Sequence, residues 1–274
     1  MYLSQKLNVI TMKILSTLFL VLTTTLAFAG GTDLILNLES GKTYTVSSDM
    51  SMKYFKDASL SEKVMTSNIQ TKASIKVLSK TSDGVHTVEV DFISMILNQD
   101  MGGMQITYDS ENPDPNNPMT AMIEPQLKPL LESTLTVMVN KYGEVIEQTG
   151  GAEGSMVDLS SMVNNLFIKY PKEEISKGYS WNNDLSQAAA GIGIKAIYTV
   201  NEFSKSEVTL GVKTEVDTEQ SEELKDAETK GGGSMLIDAK TGWVKESEMN
   251  MTMKGSSPQM GEFFMVTKVT QKTL

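Results

Sequence analysis

Residues 153–181 read EGSMVDLSSMVNNLFIKYPKEEISKGYSW, and their pattern predicts one amphipathic helix that leads into a strand. The apolar side chains recur at i, i+3, i+4, i+7, i+8 and i+11, which places them on one helix face. They are Leu159, Met162, Val163, Leu166, Phe167 and Tyr170. Ser155 can cap the helix, and Pro171 ends it because the proline ring clashes with the preceding turn. We therefore expect this helix to pack between two β-rich halves of the chain.

The chain before this helix alternates apolar and polar residues, which is the period of a β-strand. After a turn at residues 39–42, the alternate positions are Tyr44, Val46, Met50, Met52 and Tyr54. A second alternating run follows the turn at residues 81–84, which predicts a long hairpin. Residues 119–132 predict a shorter helix, although two prolines interrupt it. Residues 135–147 predict another hairpin, with its turn at residues 141–143.

The order of elements after the central helix repeats the order before it. Gly178-Tyr179-Ser180-Trp181 matches Gly41-Lys42-Thr43-Tyr44, and Gly242-Trp243-Val244 matches Gly143-Glu144-Val145. Long hairpins lie between these points in both halves. We therefore predict an internal duplication, with a first β-rich half at residues 30–150, a helix and connector at residues 151–176, and a second half at residues 177–274.

The motifs VNKYGEVIE (residues 139–147), YPKEEISKGYSW (170–181) and GGGSMLIDAKTGWV (231–244), in this order, resemble an uncharacterised family of exported bacterial β-rich proteins. The resemblance covers nearly all of residues 33–274. It implies export and the boundaries given above. The family is a domain of unknown function, so the resemblance implies no catalytic residues.

Residues 12–30 read MKILSTLFLVLTTTLAFAG and have the pattern of a signal peptide. Lys13 precedes an apolar run at residues 14–26, and a small-x-small cleavage site ends at Ala29 before Gly30. The apolar run is too short and too rich in threonine for a membrane span. We expect translation to start at Met12, cleavage near Ala29–Gly30, and a periplasmic or extracellular mature chain.

The charge of the chain excludes one broad class of partner. It has no cysteine, no arginine, and 24 lysines against 34 acidic residues. Two of these lysines lie in the predicted signal region, so the mature chain carries a net charge near −12. Nucleic-acid binding uses clustered cations and the release of counterions from phosphates. We therefore expect no nucleic-acid partner, and the sequence indicates no particular protein partner.

The sequence contains no complete catalytic or metal-binding motif. Residues 40–43 match only the end of a phosphate-binding loop, and residues 191–196 imitate a dinucleotide fingerprint without the helix that must follow. His86 is the only histidine, which excludes multi-histidine zinc sites. The loop at residues 109–114 has carboxylates but not the EF-hand pattern. We expect no cofactor, no metal and no enzymatic activity.

Methionine is unusually frequent, with 19 in the chain. Met249, Met251 and Met253 stand at alternate positions, so they lie on one face of a strand. Thioethers can bind Cu(I) in exported proteins, which is one interpretation. The one we favour is the lining of a core or of a pliable apolar cavity, because methionine adapts its shape.

These patterns predict a mostly β member of the α+β class. We expect one large, curved antiparallel sheet, half-open and barrel-like, built from two similar halves and covered by one or two amphipathic helices. One functional hypothesis is a binding protein that carries a lipid or another apolar small molecule. Its candidate cavity residues are Met50, Met52, Met162, Leu166, Phe167 and Met251. The alternative is a structural or protein-interaction module that has a solid core and no ligand.

Overall fold

The computed structural model describes residues 31–56, 59–60, 62–151, 163–187, 192–217, 228–257 and 261–274. Within these ranges it contains twelve strands and one helix of several turns. The elements are β1 (Thr43–Phe55), β2 (Lys63–Lys80), β3 (His86–Met101), β4 (Met104–Asp109), α1 (Pro118–Glu132), β5 (Thr134–Val139), β6 (Val145–Gly150), β7 (Ser180–Gln187), β8 (Ile192–Phe203), β9 (Glu207–Asp217), β10 (Glu228–Asp238), β11 (Val244–Ser257) and β12 (Gly261–Thr273).

All twelve strands belong to one antiparallel sheet with the order β6-β5-β3-β2-β1-β12-β11-β10-β9-β8-β7. The remaining strand, β4, pairs with the second half of β3, whereas β5 pairs with the first half. The terminal strands of the order, β6 and β7, do not pair with each other in the described part of the chain. The prediction of a single large, unclosed antiparallel sheet is therefore confirmed.

In both halves of the chain, successive strands are added to the sheet in the same direction. The first half runs from β1 in the middle to β6 at one edge, and the second runs from β7 at the other edge to β12 in the middle. The halves join where β1 pairs with β12, from Val46 opposite Thr273 to Phe55 opposite Phe264. This order is the one that a tandem repeat would produce, and the duplication itself stays a prediction.

One face of the sheet, called the inner face here, carries two hydrophobic clusters. The cluster of the first half uses the β-branched residues that face inward from β2, β3 and β5, together with Leu130 of α1. The members of the sheet that are fully buried are Ile75, Val77, Val88, Val90, Val137 and Val139. Helix α1 begins after Asn117, whose side chain accepts a hydrogen bond from the backbone N–H of Met119. It matches the helix predicted for residues 119–132 and covers the inner face beside β3 and β4.

The cluster of the second half combines inward-facing residues of β8 and β9 with residues that precede β7. Ala196, Val208 and Leu210 are fully buried in it, and Ile168 and Tyr170 pack against them. Trp181 stacks on Tyr198 with ring centroids 5.3 Å apart. Burial raises the pKa of Tyr198 to about 12, so this phenol stays neutral at any physiological pH.

The helix predicted around residues 156–170 ends earlier in the chain than the periodicity indicated. Residues 152–162 lie outside the described ranges, and only Val163 and Asn164 are helical in the part that is described. The chain is already extended when it reaches Tyr170, whose backbone N–H donates to the carbonyl of Tyr142 at 2.7 Å. The spacing of Leu166, Phe167 and Tyr170 therefore reflects separate tertiary contacts rather than one helix face.

Two extended segments cross turns of the sheet, and we call them the first crossing segment (residues 32–38), over the turn between β10 and β11, and the second crossing segment (residues 168–175), over the turn between β5 and β6. In the first crossing segment, Asn37 N–H donates a hydrogen bond to the carbonyl of Thr241 at 2.8 Å. The second reaches the turn between β5 and β6 through Tyr170. The two segments also bond to each other, because Thr32 and Ile175 exchange backbone hydrogen bonds of 3.0 and 2.9 Å.

Each crossing is made possible by a glycine at the turn beneath it. Gly143 and Gly242 have φ angles of +78° and +65°, a region that side chains other than glycine rarely adopt. A Cβ added to Gly143 would overlap the carbonyl oxygen of Ile168, and one added to Gly242 would overlap that of Ile35. The crossing segments can therefore pack directly on these turns only because no side chain intervenes.

Among the described residues, no helix is long and apolar enough to cross a membrane.

We predict that Gly143→Ala and Gly242→Ala will each destabilise the protein much more than Gly178→Ala. Gly178 also has a positive φ, +85°, but a Cβ there would meet nothing within 4 Å. The control therefore measures backbone strain of about 1–2 kcal/mol. The two crossing variants add a steric overlap with backbone atoms, so we expect a loss of at least about 3 kcal/mol. Urea unfolding measures the difference, and equal losses in all three variants would contradict the prediction.

Candidate functional site

Six adjacent strands place a row of sulfur-containing and aromatic side chains at one height on the inner face. Pairing partners follow one another directly across the sheet, from β11 through β12, β1, β2 and β3 to β4. In that order they are Met253, Met265, Tyr54, Met65, Met101 and Met104. We call this set the methionine row. Neighbouring strands lie about 4.8 Å apart, so the row spans roughly 24 Å.

Residues next to the row, two positions along each strand, form a second line that is less uniform. Met251 on β11 and Met52 on β1 continue the apolar surface there. On β2 and β3 the corresponding positions are Ser67 and Gln99, which are polar. The Nε2 group of Gln99 donates to the sulfur of Met65 at 3.2 Å. On β2 and β3 the apolar surface is thus one residue wide.

Exposure changes systematically along the methionine row. Met253 and Met265 are 3% and 9% exposed, and they form a small cluster with Phe263, Tyr54 and Met251. Tyr54 and Met65 are half-buried. At the other end Met101 is 36% exposed and Met104 is 52% exposed. The row therefore has a closed end at β11 and β12 and an open end at the hairpin between β3 and β4.

Tyr54 is the only residue of the row with a group that can ionise. Burial raises the pKa of its hydroxyl above the ordinary value of 10.0. The row therefore carries no charge near neutral pH, and its other side chains are thioethers. A surface of this chemistry excludes ionic ligands from direct contact and favours apolar ones.

The residues proposed from sequence as a cavity lining are divided between different places. Met50, Met52 and Met251 lie on the inner face near the methionine row, and Met251 packs against its closed end. Phe167 and Leu166 belong instead to the core of the first half, where Phe167 meets Trp243 edge to face at 6.0 Å. Met162 lies outside the described residues.

None of the six residues of the methionine row is among the cavity candidates proposed from sequence. Alternation within each strand carried a partial signal, because it assigns Met50, Met52 and Tyr54 to one face. The sequence did not show the register, that is, which residues lie opposite each other on paired strands that are remote in sequence. Met265 becomes a neighbour of Tyr54 only through the pairing of β1 with β12.

In the described part of the chain, no group of three or more histidine, aspartate or glutamate side chains is arranged to hold a metal ion. A shallow depression of about 160 Å³ lies between β9, β10 and β11, away from the methionine row. Its lining is Thr209, Ser234, Met235, Leu236, Glu246, Ser247 and Glu248.

Comparison with known protein families gives one decisive match. The model of a family of unknown function, DUF6263, matches residues 83–156 and 152–244, which together cover more than half of the chain. The chain belongs to DUF6263. This agrees with the resemblance to a domain of unknown function seen in its motifs. No curated protein matches the chain.

A solved structure resembles this DUF6263 member in fold. A structure described as "Lipid-protein interactions in lipovitellin" has a TM-score of 0.54 at 11% identity, over 86% of this chain and 25% of that one. The chain thus spans about a quarter of the lipovitellin chain. DynF from the dynemicin biosynthesis pathway of Micromonospora chersina (6% identity, 90% and 87% of the two chains) and a mutant Rh. blastica porin (10%, 85% and 99%) both score 0.24, which is too low to carry an argument.

The single histidine of this family member has a structural position. His86 begins β3 and is completely buried. Its Nε2 accepts a hydrogen bond from the backbone N–H of Leu38 at 3.1 Å, which requires a neutral ring. Burial is the largest cause that lowers the pKa of His86, and the positive charge of Lys80 lowers it further. The histidine therefore holds the first crossing segment in place only while it is unprotonated.

We predict that the free energy of unfolding decreases as the pH falls below about 6.5, the ordinary pKa of histidine. In this range the unfolded chain binds a proton at residue 86 and the folded chain does not, so acid favours unfolding. Above that pH the contribution is fully present. In His86→Gln the amide oxygen can accept the same hydrogen bond without titrating. Urea unfolding between about pH 7 and pH 5.5 should give a slope for the wild type and a smaller slope for the variant, and parallel slopes would refute this role.

Proposed function

We propose that this chain is an exported binding protein that holds an apolar ligand of the lipid class on the methionine row and the adjoining part of the inner face. The observation that carries the proposal is the partial exposure of this row beside an otherwise tightly buried core. The signal-peptide pattern of residues 12–30 motivates the periplasmic or extracellular location. The proposal includes no catalytic step.

Transfer of apolar surface out of water would be the driving force for binding. Transfer of apolar surface out of water yields roughly 25 cal/mol per Å². A ligand that covers about 300 Å² of this face would gain about 7–8 kcal/mol from this term, and the costs of association and ordering are subtracted from it. Because Met65, Met101 and Met104 are unbranched and polarisable, they can adjust to a flexible ligand without fixed complementarity.

The similarity to lipovitellin supports the lipid-binding proposal only through the fold. That structure is described by its lipid–protein interactions, and it aligns with 86% of this chain at a TM-score of 0.54. Identity of 11% is too low to transfer residues or ligands. The methionine row is therefore the specific support, and the shared fold is consistent with it.

Native mass spectrometry of the protein purified from the cells that make it tests the proposal. We expect a reproducible additional mass that solvent extraction releases as a lipid or another apolar molecule. The variant Met65→Gln, which keeps the length of the side chain but introduces a polar amide, should retain less of it. Met122→Gln is the matched control, since Met122 is exposed on α1 and does not belong to the row.

Two results would overturn the proposal. One is a bare polypeptide mass together with failure to take up a fluorescent fatty acid, which would favour a structural or interaction module. The other is equal retention of ligand by Met65→Gln and the wild type, which would place the ligand elsewhere on the protein.

A further inference from the structure

The hairpin between β3 and β4 places two methionine side chains directly opposite each other. Met101 and Met104 are pairing partners on either side of a two-residue turn. Both turn residues, Gly102 and Gly103, have positive φ values of +63° and +104°, as in the type I′ turns that join closely paired strands. The carboxylate of Asp100 accepts a hydrogen bond from Gly103 N–H at 3.0 Å, which stabilises the turn. The two thioether side chains therefore start from neighbouring points on the inner face.

A third methionine lies next to this pair on the neighbouring strand. Met65 of β2 is the pairing partner of Met101. Its sulfur accepts a hydrogen bond from the side-chain amide of Gln99 at 3.2 Å, and Gln99 stands on β3 two positions from Met101. The sulfur of Met65 is therefore turned toward β3. Three thioethers thus occupy adjacent positions on β2, β3 and β4.

The spacing of the three strands allows these sulfurs to share one ion. Neighbouring strands lie about 4.8 Å apart. Met101 stands in the middle, so the sulfurs of Met65 and Met104 need to lean toward it by about 3 Å to reach a common ligand position. Methionine is unbranched and has three rotatable bonds, so this movement requires no change in the backbone.

Thioether sulfur is a neutral and polarisable ligand, which determines the ion that it selects. Mg²⁺ and Ca²⁺ require oxygen ligands, and Zn²⁺ prefers imidazole, thiolate or carboxylate, so an uncharged thioether surface excludes them. Cu(I) differs because it exchanges its hydration for bonds to soft sulfur. Tyr54 is the partner of Met65 on β1, and its ring can add a cation–π contact. Lys63, two positions from Met65 on β2, is exposed, so solvent screens its charge.

Exposure to solvent distinguishes this group from the rest of the methionine row. Met101 and Met104 are exposed, so an ion can reach them from solvent without any opening of the sheet. At the other end of the row, Met253 and Met265 are buried in one cluster with Phe263. An ion that enters from solvent therefore meets the hairpin end of the row first.

We propose that Met65, Met101 and Met104 bind one Cu(I) ion at the β3–β4 hairpin. The sequence allowed Cu(I) as one interpretation of its methionines, but Met65 joins the other two only through the pairing of β2 with β3. The inference is independent of the proposed function, because the three sulfurs are present with or without an apolar ligand.

Competition with bicinchoninate, a chromogenic Cu(I) chelator, tests the site on the purified protein in the absence of oxygen. We expect one Cu(I) per chain with a dissociation constant of about 1 μM or lower. Met101→Leu and Met104→Leu should each weaken binding at least about tenfold, because leucine keeps the apolar volume and removes the sulfur. Met122→Leu is the matched control and should bind as the wild type does, since Met122 is exposed on α1 and does not belong to the row. Unchanged circular dichroism shows that each variant folds.

NMR of protein labelled with ¹³C in the methionine methyl groups locates the ion. One equivalent of Ag(I), which matches Cu(I) in charge and softness and is stable in air, should shift the methyl signals of Met65, Met101 and Met104. The signals of Met253 and Met265 should not move. The same concentration of Zn²⁺ should shift none of them. Single Met→Leu substitutions assign the signals.

The inference is wrong if the protein binds no Cu(I), or if Met101→Leu binds it as tightly as the wild type. Ag(I) shifts centred on Met122 or on the buried methionines, or an equal response to Zn²⁺, would also contradict it.

These outcomes are separate from those of the proposed function. Leucine preserves the apolar surface, so Met101→Leu should retain the apolar ligand while it loses the metal. A protein that carries an apolar ligand and binds no Cu(I) refutes this inference alone. A protein that binds Cu(I) at these sulfurs and carries no apolar ligand refutes the proposed function alone.

Discussion

The contact on which the rest of the structure depends is the close approach of a backbone carbonyl to a glycine turn, made once in each half. Ile35 lies over Gly242, and Ile168 lies over Gly143. Each approach brings an extended segment onto the inner face, where a hydrogen bond from Leu36 N–H to Lys141 and one from Tyr170 N–H to Tyr142, both 2.7 Å, fix its position. The crossing segments then supply buried side chains to both clusters. A flat sheet would otherwise expose this apolar face to water.

The crossings cover only one end of the strands, and this gives the sheet two ends of different character. Near the glycine turns the interior is built from β-branched residues with few rotamers, such as Val77, Val88 and Val90, which pack as a fixed core. Toward the other end the same face carries methionines with three rotatable bonds each. Packing is therefore most rigid at the first end, and the second end is more easily deformed.

The sequence was sufficient for features that depend on neighbours along the chain. Alternation at Tyr44 and Val46 and turn signals at residues 81–84 predict strands and hairpins, and antiparallel hairpins in succession predict one sheet. Helix α1 was predictable for the same reason. The end of the central helix was not, because Phe167 and Tyr170 take their positions from Trp243 and Gly242, more than 70 residues away. Their spacing imitates a helix by coincidence, since periodicity reports burial and not its cause.

The candidate site shows the same limit more sharply. Alternation could place Met52 and Met251 on strand faces, but it could not show that β12 separates their strands, which is why part of the proposed lining lies beside the row and none of it lies in the row. Whether a methionine lies in a solid core or on an adaptable surface depends on what covers it. At Met253 the neighbouring Phe263 and Met265 give cover, and at Met104 the described contacts give little. The same residue type therefore has two environments within one row, because the methionines are buried at β11 and β12 and exposed at β3 and β4.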